Sequence, residues 1–184
     1  MTAIKRLLVS AVFAGLFASC STGVDMPQGT GEGYQSARLV RPDPNRPAIT
    51  NETEKQVHGM IQKSIARQFT SKGMAYGGNK ADLVVAYLVL VQEPGSTSRY
   101  DRYFGYSPDT DKISELAHTR GVLDSNRPDY FREAGIVIDV IDTKTNKLVY
   151  RNFVRGDVVK GASGATRAAR IEAAVAQALG GFFR

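Results

Sequence analysis

Two runs of sequence decide the fold: GIVIDVID at residues 135–142 and LVYRNFVR at residues 148–155. Both runs are rich in β-branched and aromatic residues, which fit the pleated and half-buried surface of a sheet. The stretch between them is polar, and Asp142 and Asn146 can hydrogen-bond their own backbone in a tight turn. The two runs therefore predict a β-hairpin.

Two amphipathic helices are predicted outside this hairpin. The first begins near Asn51, with Glu54 three residues on as in a capping box, and ends at Gly73. Its apolar stripe recurs at helical spacing and comprises Val57, Met60, Ile61, Ser64, Ile65 and Phe69. His58 lies beside this stripe and is assigned to the surface or boundary of the helix. The second helix follows a glycine-rich turn at residues 161–164, and its stripe comprises Ile171, Ala174, Val175, Ala178, Leu179 and Phe182.

Two further strands are predicted before the hairpin. Residues 34–41 form the first, which Pro42 stops. Residues 81–91 form a nearly continuous apolar run, typical of a strand that is central in its sheet or covered on both faces. The order of elements predicts an α+β fold. We expect a two-layer sandwich, in which a mostly antiparallel or mixed sheet of about four to five strands carries two helices on one face.

The N-terminus has the features of an exported, lipid-modified protein. Lys5 and Arg6 precede an apolar run at residues 7–17, which is too short to span a bilayer and long enough for a signal peptide. The sequence FASC at residues 17–20 resembles a bacterial lipobox, in which the cysteine is acylated and the signal is cut off before it. Cys20 is the only cysteine of the chain and is the predicted lipid attachment site. The alternative is an ordinary secretory peptide with an unrelated cysteine.

This interpretation divides the chain into a signal peptide at residues 1–19, a flexible tether at 20–33 and a single α+β domain at 34–184. The tether is poor in residues to bury, and as a flexible coil it would span about 20 Å. Acyl chains such as palmitate on Cys20 would anchor the protein to a membrane leaflet. Ser21, rather than Asp, follows the cysteine, which by resemblance to enterobacterial sorting indicates the periplasmic face of the outer membrane.

The composition is that of a globular domain in which basic residues outnumber acidic ones. Of the 184 residues, 42% are hydrophobic and 23% are charged, which is sufficient for a core. The formal charge of +6 falls to +4 when Lys5 and Arg6 are removed with the signal. The compartment argues against nucleic acid and leaves anionic lipid headgroups, lipopolysaccharide or cell-wall polymer as polyanionic partners. The alternative is that the charge only keeps the protein soluble.

Candidate catalytic and metal-binding residues are scarce. One cysteine and two histidines do not supply the ligand spacing of a zinc site, and the aspartates lack the calcium-loop pattern. The sequence GASGA at residues 161–165 approaches a nucleophile elbow, but no histidine follows Ser163, as a hydrolase of that kind requires. We therefore expect no enzyme activity, no cofactor, no metal and no catalytic residue. A pair of carboxylates for sugar hydrolysis stays open as an alternative, since only geometry could select one.

Residues 95–134 are the most individual region, an insert in which aromatic residues alternate with arginines. Aromatic rings beside guanidinium groups offer stacking surfaces and bidentate donors, which suit protein partners or glycans. The expected binding residues are Arg99, Tyr100, Arg102, Tyr103, Phe104, Tyr106, Arg127 and Tyr130. The alternative is that the tyrosines cover the open end of the sheet and the arginines are solvated.

Most of the mature chain resembles a family of small bacterial lipoproteins that carry a domain of unknown function. The resemblance rests on Cys20, Gly73 and the segments 81–85, 135–142, 148–151 and 171–183. Tyr150 stands where the family usually has Trp. No activity is attached to this family, so the resemblance implies no catalytic residue. A looser similarity of element order to periplasmic modules of the Tol and curli-secretion lipoproteins implies binding to other proteins.

Together these patterns predict a membrane-anchored lipoprotein of the cell envelope that acts as a non-catalytic binding or structural module in the periplasm. Envelope proteins or cell-wall polymer are the expected partners, and the sequence does not indicate an oligomeric state. Two alternatives stay open: a cell-wall or envelope hydrolase with an unidentified acid pair, and a subunit of an envelope secretion or assembly complex. A polar cleft with two carboxylates of raised pKa would favour the hydrolase, and an exposed strand edge would favour the complex.

Overall fold

The computed structural model describes residues 26–41, 49–93, 96–99, 132–159 and 161–184. The elements in these ranges are β1 (Ser36–Leu39), α1 (Glu52–Ser71), β2 (Ala75–Tyr76), β3 (Leu83–Glu93), β4 (Ser96–Arg99), β5 (Arg132–Asp142), β6 (Lys147–Val158) and α2 (Gly164–Leu179). The predicted signal peptide, Cys20 and most of the insert lie outside the described residues.

The strands form one mixed sheet in the order β2-β1-β3-β5-β6, and β4 pairs with the far end of β3. The neighbours β2, β1 and β3 run parallel, whereas β3, β5 and β6 run antiparallel. Both described helices pack on one face of this sheet, so the predicted α+β sandwich is confirmed. The two short strands β2 and β4 were not expected.

The predicted hairpin is present as β5 and β6. Asp142 closes its turn, because its Oδ1 accepts hydrogen bonds from Lys144 N at 2.7 Å and Thr145 N at 3.0 Å. Asn146 completes the turn with a φ of 56°, a left-handed conformation that asparagine tolerates. The register of the pair shifts between Val140 and Ile141. On the side of this shift away from the turn, the even-numbered residues of both strands face the helices.

The main core fills the space between the helices and the sheet. α1 contributes the buried side chains of Ile61, Ile65 and Phe69, and α2 contributes Val175, Ala178 and Leu179. At one end of the sandwich, neighbouring rings pack with centroids 5.0–5.9 Å apart. This aromatic cluster comprises Phe69, Tyr76, Tyr150, Phe182 and Phe183.

The opposite face of the sheet carries a second, smaller group of buried residues. It comprises Ala86, Leu88, Leu90, Val137 and Ile141. β3 contributes to both groups, since its odd-numbered residues face the helices and its even-numbered residues face the other way. The interpretation of residues 81–91 as a strand that is central in its sheet or covered on both faces is therefore confirmed.

Both helices begin at a side-chain cap. Asn51 Oδ1 accepts from Glu54 N at 3.1 Å at the start of α1, as the sequence predicts. Ser163 Oγ accepts from Thr166 N at 3.1 Å at the start of α2, so this serine, considered above as a nucleophile, serves as a helix cap. Gly73 follows α1 with a φ of 81°, which confirms its predicted role as a stop.

Candidate functional site

The chain joins the folded domain through residues 26–31, which we call the N-terminal strap. The strap lies along the outer edge of β6 and crosses the end of the sandwich. Three backbone hydrogen bonds hold it: Gly29 N to Val149 O at 2.8 Å, Arg151 N to Pro27 O at 2.9 Å and Gly31 N to Phe182 O at 2.7 Å. The composition of this stretch predicts that it belongs to a flexible tether at residues 20–33. The strap is instead held against the domain, and residues 21–25 separate it from Cys20 in the sequence.

Among the described residues, the pairing between the strap and β6 ends at Pro27, which has no N–H to donate to Arg151 O. The side chain of Gln28 replaces that donor, since its Nε2 donates to Arg151 O at 3.0 Å. Further along β6, Phe153 N donates to Asn152 Oδ1 at 2.8 Å. Local side chains therefore satisfy backbone groups of β6 that would otherwise offer pairing to another strand.

Close packing between the strap and β6 requires a glycine at residue 29. A Cβ at Gly29 would lie 2.5 Å from Val149 O, well inside the van der Waals contact distance. Because the obstacle is backbone rather than a flexible side chain, a larger residue would have to move the strap away from β6. The strap is thus fitted to this edge by its sequence as well as by its hydrogen bonds.

Two aspartates lie together at the end of the sheet, where Leu83, next to Asp82, pairs with Asp142. Asp82 Oδ2 accepts from Gln35 N at 3.0 Å, Ser36 N at 3.1 Å and Ser36 Oγ at 3.0 Å. These bonds, with the one from Gln35 N first, lower the pKa of Asp82 below its ordinary value. Asp82 thereby fastens the start of β1 to β3.

Asp142 has a comparable environment. The backbone N–H of Thr145 is the main cause that lowers the pKa of Asp142, followed by that of Lys144. Its Oδ2 also accepts from Tyr34 Oη at 3.0 Å. A general acid for glycoside cleavage needs a raised pKa, and both aspartates have the opposite shift. This pair of carboxylates therefore has the properties of a structural clamp. We call Asp82 and Asp142 the carboxylate clamp.

A buried polar cluster connects α1 to the sheet. His58 Nδ1 lies 2.9 Å from Tyr87 Oη, and Gln62 Nε2 donates to the same oxygen at 3.0 Å. His58 Nε2 lies 3.8 Å from Glu54 Oε1. His58 is only 3% exposed, so its assignment to the surface or boundary of the helix was wrong. The reason is Tyr87 on β3, which supplies a hydrogen-bonding partner inside the core.

The hydroxyl of Tyr87 stays protonated, because burial raises the pKa of this tyrosine far above its ordinary value. The neutral hydroxyl of Tyr87 therefore meets His58 and Gln62 at the helix–sheet interface. Because hydrogen bonds are directional and apolar contacts are not, these bonds fix the orientation of α1 on β3.

A buried ion pair lies on the sheet face opposite the helices. Arg151 Nε donates to Asp139 Oδ1 at 2.6 Å, and a second guanidinium nitrogen donates to Oδ2 at 2.7 Å. Asp139 is fully buried and Arg151 is almost so. The bidentate geometry compensates the two charges within the apolar surroundings. Both residues stand opposite each other in the β5–β6 register, so the pair could have been found from the hairpin sequence.

The predicted binding residues lie almost entirely outside the described part of the chain. Arg99 is the last residue of β4, where its backbone pairs with Leu90. The others, which fall outside the described ranges together with Cys20, are Tyr100, Arg102, Tyr103, Phe104, Tyr106, Arg127 and Tyr130. The insert as a contact surface thus stays a prediction.

The described residues offer neither a metal-binding group nor a membrane-spanning helix. In the ranges between residues 26 and 184 that the structure describes, no three His, Cys, Asp or Glu side chains are grouped so as to hold a metal ion. None of the helices described is long and apolar enough to cross a membrane.

Comparisons with known structures give only distant similarities. The PelC dodecamer from Paraburkholderia phytofirmans matches with a TM-score of 0.42 and 11% identity over 89% of this chain and 96% of that chain. A PDZ domain protein from Parabacteroides distasonis matches with a TM-score of 0.41 and 12% identity over 78% of this chain and 31% of that chain. At these scores, neither similarity supports an argument about function.

Comparisons by sequence identify the family but no characterised relative. No curated protein matches the chain. A family model described as a domain of unknown function, DUF4136, matches residues 32–182. This match includes the sheet, both helices and the carboxylate clamp. The chain therefore belongs to the DUF4136 family of domains of unknown function.

Proposed function

We propose that this protein is a lipoprotein of the bacterial cell envelope, anchored through acyl chains on Cys20 to the periplasmic face of the outer membrane. Its domain acts there as a non-catalytic binding or structural module. The observation that carries the proposal is the strap. Backbone hydrogen bonds already hold the chain against the domain at Pro27, seven residues after the lipobox cysteine.

The use of the acidic and histidine side chains supports a non-catalytic role. Asp82 and Asp142 bond backbone N–H groups, Asp139 is engaged by Arg151, and His58 is enclosed against Tyr87. Each of these side chains uses polar atoms to bind other residues of the same domain. The lowered pKa of Asp82 and Asp142 weighs against the alternative of a hydrolase with an acid pair.

The β6 edge of the sheet weighs against the second alternative, an assembly joined through this edge. The strap pairs with β6 around Val149 and Arg151. Phe153 N, the next N–H that points away from β5, donates to the side chain of Asn152. An edge that is covered in this way does not offer continuous pairing to another chain. The arginine- and tyrosine-rich insert at residues 95–134 is our proposed contact surface for envelope proteins or cell-wall polymer.

Photo-crosslinking in cells tests this function. A crosslinking amino acid at Tyr103 is expected to capture a discrete partner, and a second probe at Lys80, an exposed residue in the turn after β2, is the matched control. Replacing Arg99 and Arg102 by Gln is expected to remove the product at Tyr103. The same products at both positions, or none at Tyr103 while Cys20 is still required for membrane association, would overturn the insert as an interface.

A further inference from the structure

The strap limits how the domain is oriented on a membrane. Six Cα–Cα steps separate Cys20 from Met26, and a fully extended chain of that length reaches about 20 Å. Five strand spacings separate the strap from β2 across the order strap-β6-β5-β3-β1-β2. At about 4.8 Å per spacing, β2 lies about 24 Å from the strap. The connection therefore keeps the strap, and the β6 edge beside it, within about 20 Å of the anchored Cys20, whereas β2 lies at the opposite edge of the sheet.

The β6 side is also basic. On α2, Glu172 faces α1, because its carboxylate forms an ion pair with Arg67. Successive residues turn by about 100° around a helix, so Arg170 and Arg167 lie about 160° and 140° from Glu172. Because α1 contacts β1 and β2 while α2 contacts β5 and β6, these arginines lie on the side of α2 towards the β6 edge.

A third arginine lies on the other side of the same edge. Arg151 points away from the helices, and Arg155, four residues further along β6, points the same way because side chains alternate. Arg155 and Arg170 are exposed and Arg167 is half-buried. We call these three arginines the β6 flank.

We propose that the β6 flank is the surface that the protein turns towards the membrane, where its guanidinium groups contact anionic lipid headgroups. Arginine pairs with phosphate through two donors at once, and anionic lipid attracts basic residues that lie within a Debye length of the surface. This inference rests on the proposed function, because the acyl chains on Cys20 set the distance. It adds an orientation and a lipid-binding surface to that function.

Fluorescence quenching on vesicles tests the orientation. The acylated protein is purified from membranes and reconstituted into phosphatidylcholine vesicles that contain phosphatidylglycerol and a headgroup-linked quencher. A single introduced cysteine carries the fluorophore, either Gln177→Cys, on the side of α2 away from α1, or Lys80→Cys beyond β2. We expect several-fold stronger quenching at residue 177 than at residue 80. Equal quenching, or stronger quenching at residue 80, would overturn the orientation.

A second comparison tests the charge. In the Gln177→Cys protein, quenching is expected to increase when phosphatidylglycerol is added to pure phosphatidylcholine. The pair Arg155→Gln and Arg170→Gln should abolish this increase, whereas the pair Lys55→Gln and Lys63→Gln, which removes the same charge from α1, should retain it. An increase that persists in the arginine variant contradicts the lipid contact, provided that urea unfolding shows both variants folded.

The mass of the purified protein separates this inference from the function on which it rests. Absence of acyl chains on Cys20 would refute the anchoring and, with it, the orientation. An acylated protein whose residue 80 is quenched as strongly as residue 177 would refute the orientation alone and leave the lipoprotein function intact.

Discussion

Arg151 and Asp139 form a bidentate ion pair on the sheet face opposite the helices, with nitrogen–oxygen distances of 2.6 and 2.7 Å. Asp139 is completely buried, so neither charge is exposed to bulk water as it would be on the surface. Removing one partner would leave the other charge buried without its counter-ion. Such a loss is far more costly than the loss of an exposed pair.

We therefore expect Asp139→Ala to lower the free energy of unfolding by about 3–5 kcal/mol. The double variant Asp139→Leu, Arg151→Met should recover most of this loss, because it replaces both charges by apolar side chains. Urea unfolding followed by circular dichroism measures both. The control is Glu52→Ala, which removes the exposed partner of Lys55. The account is contradicted if Asp139→Ala costs no more than this control.

Two tyrosines with buried hydroxyl groups provide a matched test of the polar cluster. Tyr87 Oη bonds to His58 and Gln62, whereas the buried hydroxyl of Tyr76 has no hydrogen-bonding partner in the structure as described. Tyr87→Phe should therefore lower the free energy of unfolding by about 1–3 kcal/mol, and Tyr76→Phe should be neutral or stabilising. Burial raises the pKa of Tyr76 to about 12, so its hydroxyl is neutral at pH 7. Chemical unfolding measures the free energy of unfolding of both variants. An equal loss of stability in the two would contradict a directing role for the Tyr87 hydrogen bonds.

The carboxylate clamp predicts a specific dependence of stability on pH. Because the fold lowers the pKa of Asp82, its contribution to the free energy of unfolding is complete above the ordinary value of 3.8 and is lost as the pH falls below it. Asp82→Asn should be less stable than the parent protein at pH 7, and the difference should shrink as the pH falls below about 3.8. Thermal unfolding across this range measures it. A difference in stability between Asp82→Asn and the parent protein that stays constant with pH would contradict the ionic role of Asp82.

The fit of the strap can be tested with two glycines. In Gly29→Ala the new Cβ would collide with Val149 O at 2.5 Å, so the strap should separate from β6. Hydrogen exchange should become faster at Arg151 N and Gly31 N, because both N–H groups bond between the strap and the rest of the domain. Gly59→Ala in α1, where no atom lies within 4 Å of a new Cβ, should instead stabilise the protein by up to about 1 kcal/mol. Unchanged exchange in Gly29→Ala would show that the strap is not held as described.

Local sequence signals predicted most of the fold. Asn51 and Gly73 delimit α1 as expected, since capping depends on a few neighbouring residues. The hairpin follows from two runs of β-branched residues and a polar turn at Asp142. These features are determined by contacts close in sequence or by periodicity, so they can be recognised without the structure.

The features that were missed depend on partners distant in sequence. His58 was assigned to the surface because its neighbours on α1 do not show that Tyr87 is opposite. The two-residue strand β2 exists because it pairs with β1, and its own sequence carries no periodic pattern. The strap resembles a tether in composition, but backbone hydrogen bonds hold it, and they do not depend on apolar side chains.

We propose that Cys20 anchors a domain to which the chain is already bonded at Pro27. The most direct measurement is the intact mass of the N-terminal peptide from protein purified from bacterial membranes, together with fractionation of a Cys20→Ala variant. We predict a mature chain that begins at an acylated Cys20 and a variant that is lost from the membrane fraction. An unmodified N-terminus, with Cys20→Ala still in the membrane fraction, would contradict the account.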